Sequence, residues 1–133
     1  MLTLPDTLTP QQLRQIDEAV WNHLRPESPA IWHDFLGTME PCVWAGNYWS
    51  PITHYDSPGP GNTEVAERMG KDINTDHVFY YYEHETSLFH VVYDRRGPVD
   101  RVGAPRGAGP DLPRAILATF CDLNKIGIPE AET

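Results

Sequence analysis

Hydrophobic positions recur with helical spacing near both ends of the chain and with strand character in the middle. Leu13, Ile16, Val20, Trp21 and Leu24 follow one another at 3, 4, 1 and 3 positions, which lines them along one stripe of a helix. Thr9-Pro10-Gln11-Gln12 starts that helix: a capping hydroxyl, a proline suited to the first turn, and a glutamine that completes a capping box. Pro26 ends the run. Ser28-Pro29 repeats the cap chemistry, and Ile31, Trp32, Phe35 and Leu36 predict a second, short helix stopped by Gly37. Together the two predict an N-terminal helical hairpin. At the other end Asp111 caps a final helix with Pro113 in its first turn. Leu112, Ile116, Leu117, Phe120 and Leu123 line its apolar face, and Gly127 ends it.

The middle reads as strand. Val78–Glu83 and Leu88–Tyr93 are rich in aromatic and β-branched residues, and His84-Glu85-Thr86-Ser87 connects them tightly. A symmetric turn pairs Tyr82 with Phe89, Tyr80 with Val91 and Val78 with Tyr93 on one face. The other face then carries Phe79 with Val92, Tyr81 with His90 and Glu83 with Leu88. Short strands are also expected at 42–44, 48–49 and 52–55, broken by Gly46-Asn47 and Ser50-Pro51, and a third β segment at Val99–Val102 after the turn at 94–98. Asn62 caps a brief helix through Thr63–Met69. Residues 103–110, with three glycines and two prolines, read as a mobile loop.

Strands in the middle and helices at the ends predict an α+β fold. The expected architecture is an antiparallel sheet of about five short strands with the N-terminal helical hairpin and the C-terminal helix, in a single domain over residues 1–133.

Composition narrows the function classes. Nineteen acids against ten bases leave a formal charge of −9; residues 1–66 carry eight acids and two bases, residues 67–133 eleven and eight. Such a field repels nucleic-acid phosphates and anionic lipids and attracts basic proteins and cations. Neither a basic n-region nor a long apolar segment is present, so a cytoplasmic protein with no membrane association is expected. Cys42 and Cys121 sit in no CxxC or CxxH pattern and are expected to be reduced thiols, Cys121 as a small core residue.

Several constellations bear on chemistry. The hairpin register gathers Glu83, His90 and Tyr81, a carboxylate beside an imidazole suited to acid–base work; the alternative is a sheet histidine and a surface charge. Asp72, Asn74, Asp76 and Glu83 match calcium-loop spacing, but His77 replaces the required glycine and a strand follows where a helix is needed. His54-x-Asp56, His77 and His84 contain metal-ligand types without a fixing pair such as HxH or HExxH, so no metal centre and no cofactor are expected. Arg95, Arg96, Arg101 and Arg106 read as a solvated turn neutralised by Asp94, Asp100 and Asp111.

Both faces of the central hairpin are aromatic, so either both are covered or one is displayed for docking. The residues suited to a docking surface are Trp44, Trp49, Tyr55, Asp56, Tyr80, Tyr82 and Glu85. The leading expectation is a small acidic protein-binding domain, without chemistry, that engages a basic protein partner. In size, charge and element order the chain resembles immunity proteins, which implies an inhibitor that neutralises a basic toxin. The alternative is a small enzyme or ligand-binding domain with Glu83, His90 and Tyr81 in a pocket between sheet and helices, and loop 103–110 as its lid.

Overall fold

The computed structural model describes residues 2–72, 78–93 and 106–129. In chain order these form β1 (Leu2–Thr3), α1 (Pro10–Leu24), β2 (Ile31–Phe35), β3 (Thr38–Trp44), β4 (Trp49–Pro51), α2 (Pro60–Asp72), β5 (Val78–Glu83), β6 (Leu88–Tyr93), β7 (Arg106–Gly109) and α3 (Leu112–Asn124). The fold is α+β with two sheets. One has the order β1-β7-β6-β5, antiparallel except for the β1–β7 pair; the other is an antiparallel β2-β3-β4 meander. Among the described residues no helix is long and apolar enough to cross a membrane.

Local chemistry accounts for the helix ends. Thr9 caps α1 in a full capping box with Gln12, and Asp111 caps α3 by accepting from the Arg114 amide. The β5–β6 register is the symmetric one expected, with Tyr82 opposite Phe89, Tyr80 opposite Val91 and Tyr81 opposite His90. The expected β segment at Val99–Val102 lies outside the described residues.

Three expectations are corrected. Residues 31–36 are not a helix, so there is no N-terminal helical hairpin: Ile31–Phe35 is β2, paired with β3. The apolar spacing 31, 32, 35, 36 fits a helix turn, but Leu36 (φ 52°) and Gly37 (φ 89°) form a tight left-handed connection between strands, and Gly37 serves that hairpin rather than a helix stop. Among the described residues, seven strands in two sheets replace one sheet of about five. Within the loop expected at 103–110, residues 106–109 are strand β7, lying between β1 and β6, so this part is no lid.

β7 is built of small residues because α3 presses on it. A Cβ at Gly107 would collide with the α3 backbone at Ala118 and Thr119. Glycine in a strand interior often marks such a close backbone approach. α3 answers with its own small face: Ala115 and Ala118 are fully buried, and Thr119 donates from its hydroxyl to the Val91 carbonyl. The opposite side of α3 carries Leu117, Phe120 and Cys121 into a core shared with Ile16 and Val20 of α1 and Val65 and Met69 of α2. α3 is thus the middle layer, with the four-stranded sheet on one side and α1 and α2 on the other. Both cysteines are buried and free, and burial pushes the Cys121 thiol up to about 12.

Two outcomes follow from this core. Gly107→Ala must push β7 and α3 apart, and a lowered urea midpoint corresponding to about 3 kcal/mol is expected, since neither backbone is free to give way. The second concerns alkali. Burial pushes Tyr55 up to about 12 from 10, and Cys121 to about 12 from 9. The unfolded chain therefore releases both protons at lower pH than the folded one. Their contribution is intact below pH 9 and is lost as pH rises from 9 to 12, on the order of a few kcal/mol. Urea midpoints at pH 8 and pH 11 check this, and Cys121→Ala should flatten the decline.

Candidate functional site

The smaller sheet projects a hairpin whose outer end is exposed. Leu36, at its tip, is 90% exposed; Phe35 and Met39 next to the tip, and Ile31 at the other end of β2, are exposed as well. A left-handed backbone costs an L-residue about 1–2 kcal/mol, and leucine there gains nothing from burial. At the base of the hairpin Trp49 is half-buried, stacked on His33 (5.0 Å between ring centres) and edge-on to Trp44 (5.4 Å). Trp44 is 56% exposed.

The larger sheet offers a second aromatic surface. Among the described residues β5 has β6 on one side and no strand on the other. Tyr80, Tyr81 and Tyr82 are all exposed along it, Tyr80 by 65%, and Glu85 is exposed in the turn that follows. Residues 31–51 and 78–93, which carry both surfaces, contain four carboxylates (Asp34, Glu40, Glu83 and Glu85) and neither lysine nor arginine.

Trp44, Tyr80, Tyr82 and Glu85 are thus at the surface as expected of docking residues, and Trp49 partly so. Tyr55 and Asp56 are not part of that surface. Tyr55 is completely buried, its hydroxyl 3.4 Å from Arg25 Nη1, and Asp56 is mostly buried against His54.

The sheet register does bring Glu83, His90 and Tyr81 together. Tyr81 stacks on His90 with ring centres 4.7 Å apart, and Glu83 Oε2 lies 3.6 Å from His90 Nε2, a buried nitrogen without a hydrogen-bond partner. The trio occupies the sheet face that carries Ala108, whereas α3 packs on the face that carries Gly107 and Val91. The pocket imagined between sheet and helix is therefore not where these residues point.

A buried charge cluster ties α1 to the segment after β4. Arg14 and Asp17 stand one turn apart on α1, both buried, with Arg14 Nη1 2.8 Å from Asp17 Oδ2. Arg14 also donates to Glu40 of β3 (2.6 Å) and to the Ile52 carbonyl (2.9 Å). The other Asp17 oxygen accepts from the Tyr55 amide at 2.9 Å. Burial pushes Asp17 up to about 6, with the Tyr55 amide and Arg14 pulling the other way, so the carboxylate is ionised at neutral pH. Tyr55 turns inward, and its neighbours His54 and Asp56 lie together over Asp17. The N-terminal turn of α2 closes on the same segment, since a Cβ at Gly61 would strike the His54 carbonyl. Beside this cluster, Pro10, Gln11, Arg14, Thr38, Met39 and Glu40 line a groove of about 400 Å³.

Two parts of this picture were missed by pattern reading. Leu36 and Met39 were hidden by the helical reading of 31–36. Asp17 carried a signal: on a helical wheel it falls between Leu24 and Trp21 of the apolar stripe, and a charge there predicts a buried, partnered carboxylate.

No protein-family model, curated protein or solved structure matches this chain.

Asp17→Ala is expected to lower stability by about 3–5 kcal/mol, because it strands a buried guanidinium and the Tyr55 amide. Adding Arg14→Leu to that variant should restore part of the loss in urea denaturation. A double variant as unstable as the sum of the two singles would refute the coupling.

Proposed function

We propose that this protein is a binding domain that docks a basic protein on the aromatic and aliphatic surface of the β2–β3 hairpin and β5. Leu36 carries the reading. A large apolar side chain at an almost fully exposed tip, in a backbone conformation leucine disfavours, has no structural role in the free chain and is suited to a contact. Phe35 and Met39, on opposite faces of the hairpin next to that tip, widen the contact, and the groove beside Met39 offers a recess for a partner side chain.

Charge supports the class of partner. The net −9 speeds encounter with a cationic protein, and neither exposed surface carries a lysine or arginine to oppose it. Tyr80 and Tyr82 supply area while their hydroxyls stay wet, and the outer edge of β5, unpaired among the described residues, can accept an added strand. An inhibitor of immunity type is one form this role takes. Glu83 and His90 are bystanders in it.

A photo-crosslinking residue at position 36, in cells producing the protein, should yield a discrete adduct with a basic protein. Purified Leu36→Asp and Tyr80→Ser variants, folded by circular dichroism, should bind that partner at least ten-fold more weakly. Binding should also weaken steeply with salt, while Glu83→Gln and His90→Ala leave it unchanged. Absence of an adduct, or equal affinity of Leu36→Asp and the parent, would overturn the reading.

A further inference from the structure

Away from the aromatic surfaces, three metal-ligating side chains converge. Asp17 Oδ2 and Asp56 Oδ1 lie 3.6 Å and 3.7 Å from His54 Nδ1, and one donor atom from each residue falls within 4.8 Å of the other two. Donors bound at about 2.0–2.1 Å in a tetrahedron stand roughly 3.4 Å apart, so small side-chain adjustments bring this trio to bonding distance. We propose that Asp17, His54 and Asp56 form a binding site for one divalent transition cation of the zinc class.

Asp56 supplies an independent observation. Its Oδ1, the oxygen aimed at His54, is sealed from solvent and has no hydrogen-bond partner. A buried carboxylate oxygen without a partner is costly, and a bound cation would satisfy it. Asp17 is already oriented: its Oδ1 takes the Tyr55 amide and Arg14 steadies Oδ2, the outer-shell support that metal carboxylates use. The charge count points the same way. Arg14 offsets one of the three carboxylates Asp17, Glu40 and Asp56, leaving two negative charges for a divalent ion to neutralise.

The donor types select the metal. An imidazole with only two carboxylates suits zinc, cobalt or iron rather than calcium, which takes six to eight oxygens. His54 is 58% exposed on its side chain, so the ion has access from solvent and keeps room for water. Three protein ligands with an open position are the pattern of a reactive or exchangeable ion rather than a closed structural one.

Titrating the full chain with Zn²⁺ by calorimetry, and with Co²⁺ by visible absorption, tests the site. One ion per chain, Co²⁺ ligand-field bands and a raised melting temperature are expected. His54→Ala and Asp56→Asn, with unchanged circular dichroism, should each bind at least ten-fold more weakly, while His33→Ala binds as the parent does. Lack of stoichiometric uptake by the parent, or full affinity in His54→Ala and Asp56→Asn, would overturn the site. Partner capture through Leu36 is read separately, so failure of one proposal leaves the other standing.

Discussion

A charged side chain taken wholly out of water must be matched on every side, and Asp17 sets that requirement for this fold. Its two oxygens are held by a guanidinium on its own helix and by the amide of Tyr55, 38 residues further on. The same guanidinium reaches β3 through Glu40 and the chain after β4 through the Ile52 carbonyl. One helical turn of α1 therefore fixes where the smaller sheet and the segment 52–56 sit. Hydrophobic burial has no direction, so it cannot by itself do this. A buried ion pair has one geometry in which it is tolerable, and that geometry becomes the register of the packing.

The second constraint is steric. α3 is apolar almost all round because it is covered on two sides, with small residues toward the sheet and large ones toward α1 and α2. Gly107 lets the β7 backbone approach α3 closely, and the Thr119 hydroxyl reaches across to the β6 carbonyl at Val91. The four-stranded sheet thereby gains a covered face without large side chains on its β7 strand.

These two constraints leave the aromatic residues free for other work. Tyr55 alone among the candidate rings is taken into the core, where it fills space and presents its amide to Asp17. Tyr80, Tyr82 and Trp44 stay outside, as do the aliphatic residues of the hairpin tip. An exposed apolar surface of this kind weakens solubility, and the acidic net charge counteracts it by keeping copies of the chain apart. The same acidity is what the proposed docking of a cationic protein would draw on.

By itself the sequence determined the helices α1 and α3, with their caps at Thr9 and Asp111, and the β5–β6 hairpin down to its residue pairing. Each rests on contacts within a few positions of chain: a cap reaches three residues, and a short turn fixes the register of the strands it joins. The α+β class followed from the order of those elements. Tertiary structure alone decided the rest. Ile31–Phe35 has apolar spacing that suits a helix as well as a strand, and pairing with β3 settled it. Arg106–Gly109 reads as loop because glycine is valued by what packs against it, and α3 supplied that neighbour. His54 and Asp56 stand two positions apart in the sequence, but Asp17 comes beside them only because its carboxylate takes the Tyr55 amide, 38 residues further on. Local chemistry is written in neighbouring residues; a site assembled from distant ones exists only once the chain has closed around it.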